Sequence, residues 1–248
     1  MNQYGLIGYP LTHSFSQGFF NDKFLAEGVD ARYDNFEIPT IMEFQDLLAN
    51  NAELRGLNVT IPYKEQVMSY LDELDPVAKE IGAVNVIKFI NRSGRRILKG
   101  FNSDVIGFSR SIEYLLKREH RAALILGTGG SSKAVKYALN KLGLKTLSVS
   151  RFPQEGEINY QQITKELLQE YTVIVNTTPL GMYPNVDAAP SIPYEYLCDD
   201  HLLYDLLYNP SETKFLQLGK ARGAKTVNGL EMLLLQAEAS WEIWNEAE

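Results

Sequence analysis

The sequence holds a single cysteine, Cys198, in 248 residues, which excludes a disulfide within the chain and suits a reducing compartment. Basic charge is also scarce: 24 Lys and Arg stand against 31 Asp and Glu, for a net charge of -7. That balance excludes the extended basic footprint of a nucleic-acid surface, so any bound anion must be captured locally. No apolar run reaches the ~20 residues that span a bilayer. The opening MNQYGLIGYP lacks a basic region followed by an apolar segment, so no secretory signal is expected. These absences predict a cytoplasmic protein with neither nucleic acid nor membrane as a partner. Internal repeats, heptads and low-complexity tracts are missing as well, which excludes solenoids and coiled coils. What remains is 45% hydrophobic and long enough for one large domain or two small ones.

The most informative stretch is 122–151, AALILGTGGSSKAVKYALNKLGLKTLSVSR. Its unbroken apolar run 122–126 predicts a parallel strand buried on both faces. The run feeds Gly127, Thr128, Gly129 and Gly130, a near relative of G-x-G-x-x-G with Lys133 on the far side. Glycine allows a sharp turn and lets a pyrophosphate approach the chain, while the following helix offers N–H groups and the positive end of its dipole. The spacing predicts a helix from Ser131 to Leu142, Gly143 as its left-handed stop, and a second strand over 146–150. An NAD site would place Asp or Glu at the end of that strand, whereas this chain has Ser150 and Arg151. Arg151 offers a planar fork of donors to a 2′-phosphate, so NADP is the expected cofactor. A tight turn without a ligand and a solvated arginine are the plainer readings of the same residues.

Upstream, 4–8 reads as a buried strand that delivers a loop and then a helix. Ser16 is a natural N-cap, Phe19, Phe20, Lys23 and Phe24 recur at helical spacing, and Gly28 ends the pattern. Ser14 and Ser16 set two hydroxyls beside that N-terminus, suited to a carboxylate or equally to capping and turn chemistry. His13 has no neighbouring carboxylate or nucleophile and reads as a loop residue. A strand over 33–38 and a helix over 41–48 follow. In 56–64, GLNVTIPYK, period-two alternation sets Asn58 and Thr60 on one face; Pro62 stops the strand and starts a helix. Lys64 would then lie in the first turn, where the dipole lowers a lysine pKa; an ordinary surface lysine is the competing reading.

An acidic helical stretch over 70–81 leads to a strand over 82–87, in which Asn85 must find partners if buried. A hairpin through 91–94 leads on to Asp104 at the head of a helix over 105–117, where it also reads as a plain complement to the dipole. Further alternation gives a strand over 173–176, a strand over 202–208, a helix over 213–222 and a final helix over 229–244 containing Gln236. The pattern is α/β.

With these pieces in order, the sequence resembles the shikimate dehydrogenase family from residue 4 to about 244. The family patterns appear as His13-Ser14-Phe15-Ser16, as 58–64 for N-V-T-x-P-x-K, as 82–85 for G-A-V-N, and as 100–104 with Ser103 in place of threonine. The cofactor turn 127–131 and the closing 229–236, G-x-x-M-L-x-x-Q, complete the set. The resemblance implies a two-domain α/β fold: an N-terminal substrate domain, 1–103 with 229–248, and a Rossmann-type NADP-binding domain, 104–228. It implies reversible reduction of 3-dehydroshikimate to shikimate with NADPH, without a metal, by a monomer or homodimer. It assigns Lys64 as general acid/base with Asp104 as its orienting partner, and Ser14 and Ser16 to the substrate carboxylate. Thr60, Asn85, Asp104, Tyr208 and Gln236 would hold ring hydroxyls. Gly127, Thr128, Gly129, Gly130, Ser131, Ser150, Arg151, Leu206 and Gly229 would hold the cofactor. The family commonly has N-R-T where this chain has Ser150-Arg151-Phe152, which removes one donor to the 2′-phosphate. The competing readings are a quinate/shikimate dehydrogenase of broader substrate or NAD use, and a non-catalytic regulator that binds shikimate-like ligands.

Overall fold

The computed structural model describes residues 1–11 and 14–247; the reading of His13 lies outside them. The chain divides into two compact units, Met1–Ser103 with Ala237–Glu248, and Asp104–Gln236.

The first unit runs β1 (Asn2–Gly8), α1 (Phe15–Glu27), β2 (Ala31–Glu37), α2 (Phe44–Asn50), β3 (Leu54–Val59), β4 (Glu73–Leu74), α3 (Pro76–Ile81), β5 (Val86–Arg92) and β6 (Arg95–Phe101). Its six-stranded sheet has the order β2-β1-β3-β5-β6-β4. β1 pairs in parallel with β2 and β3, while β5 pairs antiparallel with β3 and β6. Both faces are covered. Ile7, Leu57, Val59 and Ile87 meet Phe44 and Leu47 of α2 and Ala78 of α3. Tyr4, Leu6 and Val86 meet Phe20 and Phe24 of α1 together with Trp244. Alternation along β3 holds, with Leu57 and Val59 on one face and Asn58 turned to the other toward Tyr33 and Ser240; because that second face is covered as well, Asn58 is buried too.

Several boundaries differ from the sequence reading. α1 starts one residue before Ser16, with Ser14 at the N-cap and Gly28 in the left-handed region (φ 66°) as expected. Residues 61–65 form turns, and only a short 3-10 helix, Gln66–Tyr70, follows them. Lys64 therefore precedes that helix instead of lying in its first turn. The stretch 70–81 is not one helix: β4 interrupts it, and α3 begins where Asp75 accepts from the N–H groups of Val77 and Ala78 with Pro76 in the first turn. Asp-Pro is a helix-start signal strong enough to divide the stretch. The hairpin at 91–94 turns through Ser93 (φ 54°) and Gly94 (φ 79°), as a two-residue hairpin turn requires.

The second unit runs α4 (Asp104–Ile112), β7 (Ala122–Leu126), α5 (Gly130–Lys141), β8 (Lys145–Val149), β9 (Glu157–Ile158), α6 (Lys165–Glu170), β10 (Val173–Asn176), β11 (Leu202–Asp205), α7 (Lys214–Lys220), β12 (Lys225–Val227) and the start of α8 (Leu230–Asn245), which from Ala237 onward belongs to the first unit. α4 stops at Ile112, well short of the expected 117, and continues only as a 3-10 turn, Glu113–Leu115. The strand predicted over 202–208 ends at Asp205. The six-stranded sheet is parallel throughout, in the order β12-β11-β10-β7-β8-β9. From β7 the chain steps outward through β8 and β9, then returns to β10 on the other side of β7. That reversal creates a crevice at the carboxyl ends of β7 and β10. Phe108 and Ile112 of α4, Val135 and Leu139 of α5 and Met232 of α8 cover one face. Leu168 of α6 and Phe215 and Leu216 of α7 cover the other. No helix among the described residues is long and apolar enough to cross a membrane.

Candidate active site and cofactor turn

The expected site residues fall into two groups, one in each unit. In the first unit, Ser14 caps α1 by position, yet its hydroxyl makes no capping bond. Ser14 Oγ is buried and has no hydrogen-bond partner among the described residues. A buried hydroxyl left unmatched costs about 1–3 kcal/mol, so this atom is suited to a ligand acceptor. Ser16, two residues on, lies near the Tyr33 hydroxyl. Burial drives the Tyr33 hydroxyl well above its ordinary pKa, against the opposing effect of Ser16.

Thr60 follows the end of β3, where its N–H donates to the Ile7 carbonyl at 2.9 Å. Its methyl lies against Gly8, where an added Cβ would stand 2.5 Å from Thr60 Cγ2. Lys64 is fixed through its backbone, since its carbonyl accepts from the Val84 N–H at 2.7 Å. The preceding Tyr63 is buried and donates to the Ile38 carbonyl, which fastens the turn to the core. The lysine thus emerges half-buried from a rigid turn.

Asn85 is 3% exposed, and Ser103 secures its side chain. Oδ1 accepts from the Ser103 N–H at 2.7 Å, and Nδ2 donates to Ser103 Oγ at 3.0 Å. Ser103 Oγ lies 3.1 Å from Ser240 Oγ, and Asn58 Nδ2 donates to Ser240 Oγ at 3.0 Å. Tyr33 closes the chain of bonds by donating to Asn58 Oδ1 at 2.8 Å. A buried polar network therefore links Tyr33 to Asn85 through Asn58, Ser240 and Ser103. Tyr33 and Ser240 carried no motif in the sequence; only their burial identifies them.

In the second unit, Asp104 is the first residue of α4 and is buried. Gln236 lies on α8, with Nε2 donating to the Leu233 carbonyl at 3.0 Å. α4 approaches α8 closely at Gly107, where an added Cβ would stand 2.7 Å from the Met232 carbonyl oxygen. Tyr208 is half-buried, and burial raises its hydroxyl pKa.

The glycine turn joins β7 to α5. Gly127 adopts φ 108°, and Gly129 occupies the N-cap of α5 with no side chain capping the helix. Nothing lies within 4 Å of the place a Gly129 Cβ would take, so the backbone there is open to a ligand. Thr128 is exposed beside it, Gly130 opens the helix and Ser131 follows. β8 lies next to β7, with Val149 opposite Leu126, so Ser150 and Arg151 leave the sheet at the same edge as the glycine turn. Arg151 is exposed and Phe152 is 80% exposed, while Ser150 Oγ accepts from the Phe152 N–H at 3.2 Å. A fork of donors and an uncovered aromatic ring therefore stand side by side. Leu206 follows β11 at this edge too, with Gly229 so close that any Cβ would collide with the Leu206 carbonyl. An open, uncapped helix start with an arginine at the neighbouring strand end has the donor chemistry that a dinucleotide phosphate requires.

The family described as shikimate dehydrogenase substrate binding domain matches residues 6–87. The shikimate dehydrogenase (NADP+) of Carboxydothermus hydrogenoformans is 39% identical over 256 residues, which span 97% of this chain and 90% of that protein. This chain belongs to the shikimate dehydrogenase family. The crystal structure of the Aquifex aeolicus shikimate dehydrogenase is similar over 100% of this chain and 94% of that one, with a TM-score of 0.87 and 35% identity. The shikimate dehydrogenase of Thermus thermophilus, solved in complex with NADP(H) and shikimate, gives a TM-score of 0.86 at 30% identity. It covers 99% of this chain and 93% of that one. The likeness to these shikimate dehydrogenases spans both units.

Proposed function

We propose that this protein is an NADP-dependent shikimate dehydrogenase, which reversibly reduces 3-dehydroshikimate to shikimate in aromatic amino-acid biosynthesis. The observation that carries the reading is likeness along 97% of the chain to a relative of that name. Substrate is assigned to the first unit, with the last helix, and NADP to the second. The protein works in the cytoplasm as a monomer or homodimer.

NADPH, when bound, supplies a hydride to the ketone carbon, and the oxygen must then gain a proton. Lys64 gives that proton in reduction and takes it back in oxidation, with Asp104 orienting the ammonium and accepting a ring hydroxyl. The turn that fixes the Lys64 backbone supports this role, because a proton donor must be held within hydrogen-bond reach of the reacting oxygen. Ser14 and Ser16 bind the carboxylate, and the unpartnered Ser14 hydroxyl supports the assignment. Thr60, Asn85, Tyr208 and Gln236 accept or donate to ring hydroxyls. Gly127, Thr128, Gly129, Gly130 and Ser131 hold the pyrophosphate, Ser150 and Arg151 the 2′-phosphate, and Leu206 and Gly229 line the remainder of the cofactor site.

The test is the initial rate of reduced-cofactor formation with shikimate or quinate, each with NADP or NAD. Fast turnover confined to shikimate with NADP is expected. Equal turnover with quinate or NAD would point to the broader dehydrogenase, and shikimate binding without turnover in any combination would point to a regulator.

A further inference from the structure

Asp205 is a fully buried carboxylate in an otherwise apolar strand, and none of the roles above uses it. Its partners connect the segments that border the crevice of the second unit. Oδ1 accepts from the Leu207 N–H at 3.1 Å and from Asn176 Nδ2 at 3.0 Å. Oδ2 accepts from Thr213 Oγ1 at 2.6 Å, and Thr213 is the N-cap of α7. Asn176, itself fully buried at the end of β10, uses its Oδ1 to accept from the Thr178 N–H at 3.0 Å and from Thr178 Oγ1 at 2.7 Å. The neighbouring Thr177 donates through Oγ1 to the Leu126 carbonyl at 2.8 Å, and an added Cβ at Gly127 would stand 2.7 Å from that Oγ1. On the other side, the Leu207 carbonyl accepts from the Gly229 N–H at 3.0 Å.

From these bonds we infer that Asp205 is a positioning residue for the cofactor site, bracing the Thr177–Thr178 turn on one side and the 206–208 segment on the other. The inference rests on the proposed NADP site. A buried carboxyl in an apolar strand costs folding free energy, and here three donors converge on it while no cation is among those partners. Such a group is retained where its acceptors fix a geometry that an apolar side chain cannot. The brace operates through Oδ1, which takes both the Asn176 and the Leu207 bond. An asparagine can keep that oxygen in place and turn its amide toward Thr213, whose hydroxyl can accept instead of donate. An alanine keeps neither bond.

Dissociation constants for NADP and for shikimate, measured separately on the free enzyme, together with hydrogen exchange at the Thr178 and Leu207 amides, test the inference. Asp205→Ala should weaken NADP about tenfold, the effect of one lost hydrogen bond to a charged group, and shikimate by a smaller factor, about threefold, because the 206–208 segment carries Tyr208. Exchange at both amides should speed up. Asp205→Asn should restore NADP binding to within about threefold of wild type. Thr178→Val, which removes only the hydroxyl at the far end of the relay, should weaken NADP in wild type and add little in the Asp205→Ala background, since coupled residues are not additive. Losses that simply multiply would overturn the brace, as would faster exchange with unchanged NADP affinity. If Asp205→Ala does not fold, an unaltered NADP affinity in Thr178→Val overturns it alone. Failure of the wild-type protein to bind NADP would overturn the proposed function first and the brace with it.

Discussion

Ser14 and Ser16 stand two residues apart and look equivalent in the sequence, but their hydroxyls are differently employed. Ser16 lies near the Tyr33 hydroxyl, whereas Ser14 Oγ is buried without a partner among the described residues. Ser14→Ala should therefore leave the melting temperature of the free protein unchanged or raise it, because it deletes an unmet polar group. The same change should raise the KM for shikimate roughly tenfold or more, the effect of losing a hydrogen bond to a carboxylate. A fall in stability without a change in KM would remove Ser14 from the carboxylate site. Lys64→Ala should show the opposite split: a drop in kcat of about 10²-fold or more, as for loss of a general acid, with shikimate affinity changed only a few-fold. Arg151→Ala should weaken NADP roughly tenfold and leave NAD binding nearly unaltered, since only the 2′-phosphate distinguishes the two cofactors. Equal losses for both cofactors would place Arg151 elsewhere in the site.

At the scale of elements, strand β7, the glycine turn and helix α5 were legible because every local signal agrees. An apolar run of strand length, three glycines and an amphipathic repeat all predict the same strand, turn and helix, and Gly143 takes the left-handed conformation (φ 85°) at the end. The segment from Pro62 to Ile81 was not legible. Its apolar residues at helical spacing serve a series of turns that bury Tyr63 and Val67, and the Asp75-Pro76 pair was the overlooked signal that a new helix begins. Asn85 could be recognised as a polar residue needing partners, but its side chain is held by Ser103, which in turn meets Ser240, both distant in sequence. Asp205 escaped notice because LLYDLLY reads as one apolar strand, although a lone acid in such a run should always prompt a search for its donors. Gly229 has its own structural demand: a methyl there would meet the Leu206 carbonyl. Gly229→Ala should lower unfolding free energy by about 1–3 kcal/mol, as overpacking does, and weaken NADP as the 206–208 segment shifts. Urea denaturation and NADP titration would show both effects; an unchanged midpoint would mean that the segment yields freely.

For the whole molecule, the buried Asp205 makes stability depend on pH. Burial raises its pKa from 3.8 to about 6, against the opposing bonds from Thr213, Leu207 and Asn176. Between these two values the folded state keeps a proton that the unfolded chain has released. The stability this carboxyl contributes is thus fully present below pH 3.8 and is lost as pH rises through 6. Asp205→Asn has no such group, so between pH 4.5 and pH 7.5 it should gain on wild type by about 2 kcal/mol in urea unfolding. A difference that does not vary with pH would mean that Asp205 is charged throughout.

The first unit is assembled from two distant parts of the chain. Trp241 and Trp244 complete the aromatic cluster around Tyr4, Phe20 and Phe24, with Tyr4 to Trp244 ring centroids 4.8 Å apart, and Trp244 lies directly over Gly56. Synthesis proceeds from the other end. The ribosome releases 1–103 first and then all of 104–236, so the second unit has its full complement of residues while the first still lacks the side chains that close its core. For the whole of that interval the nascent first unit presents a bare aromatic surface. It is the older half of the polypeptide and the last to finish, and so the half with the longest exposure to chaperones and proteases.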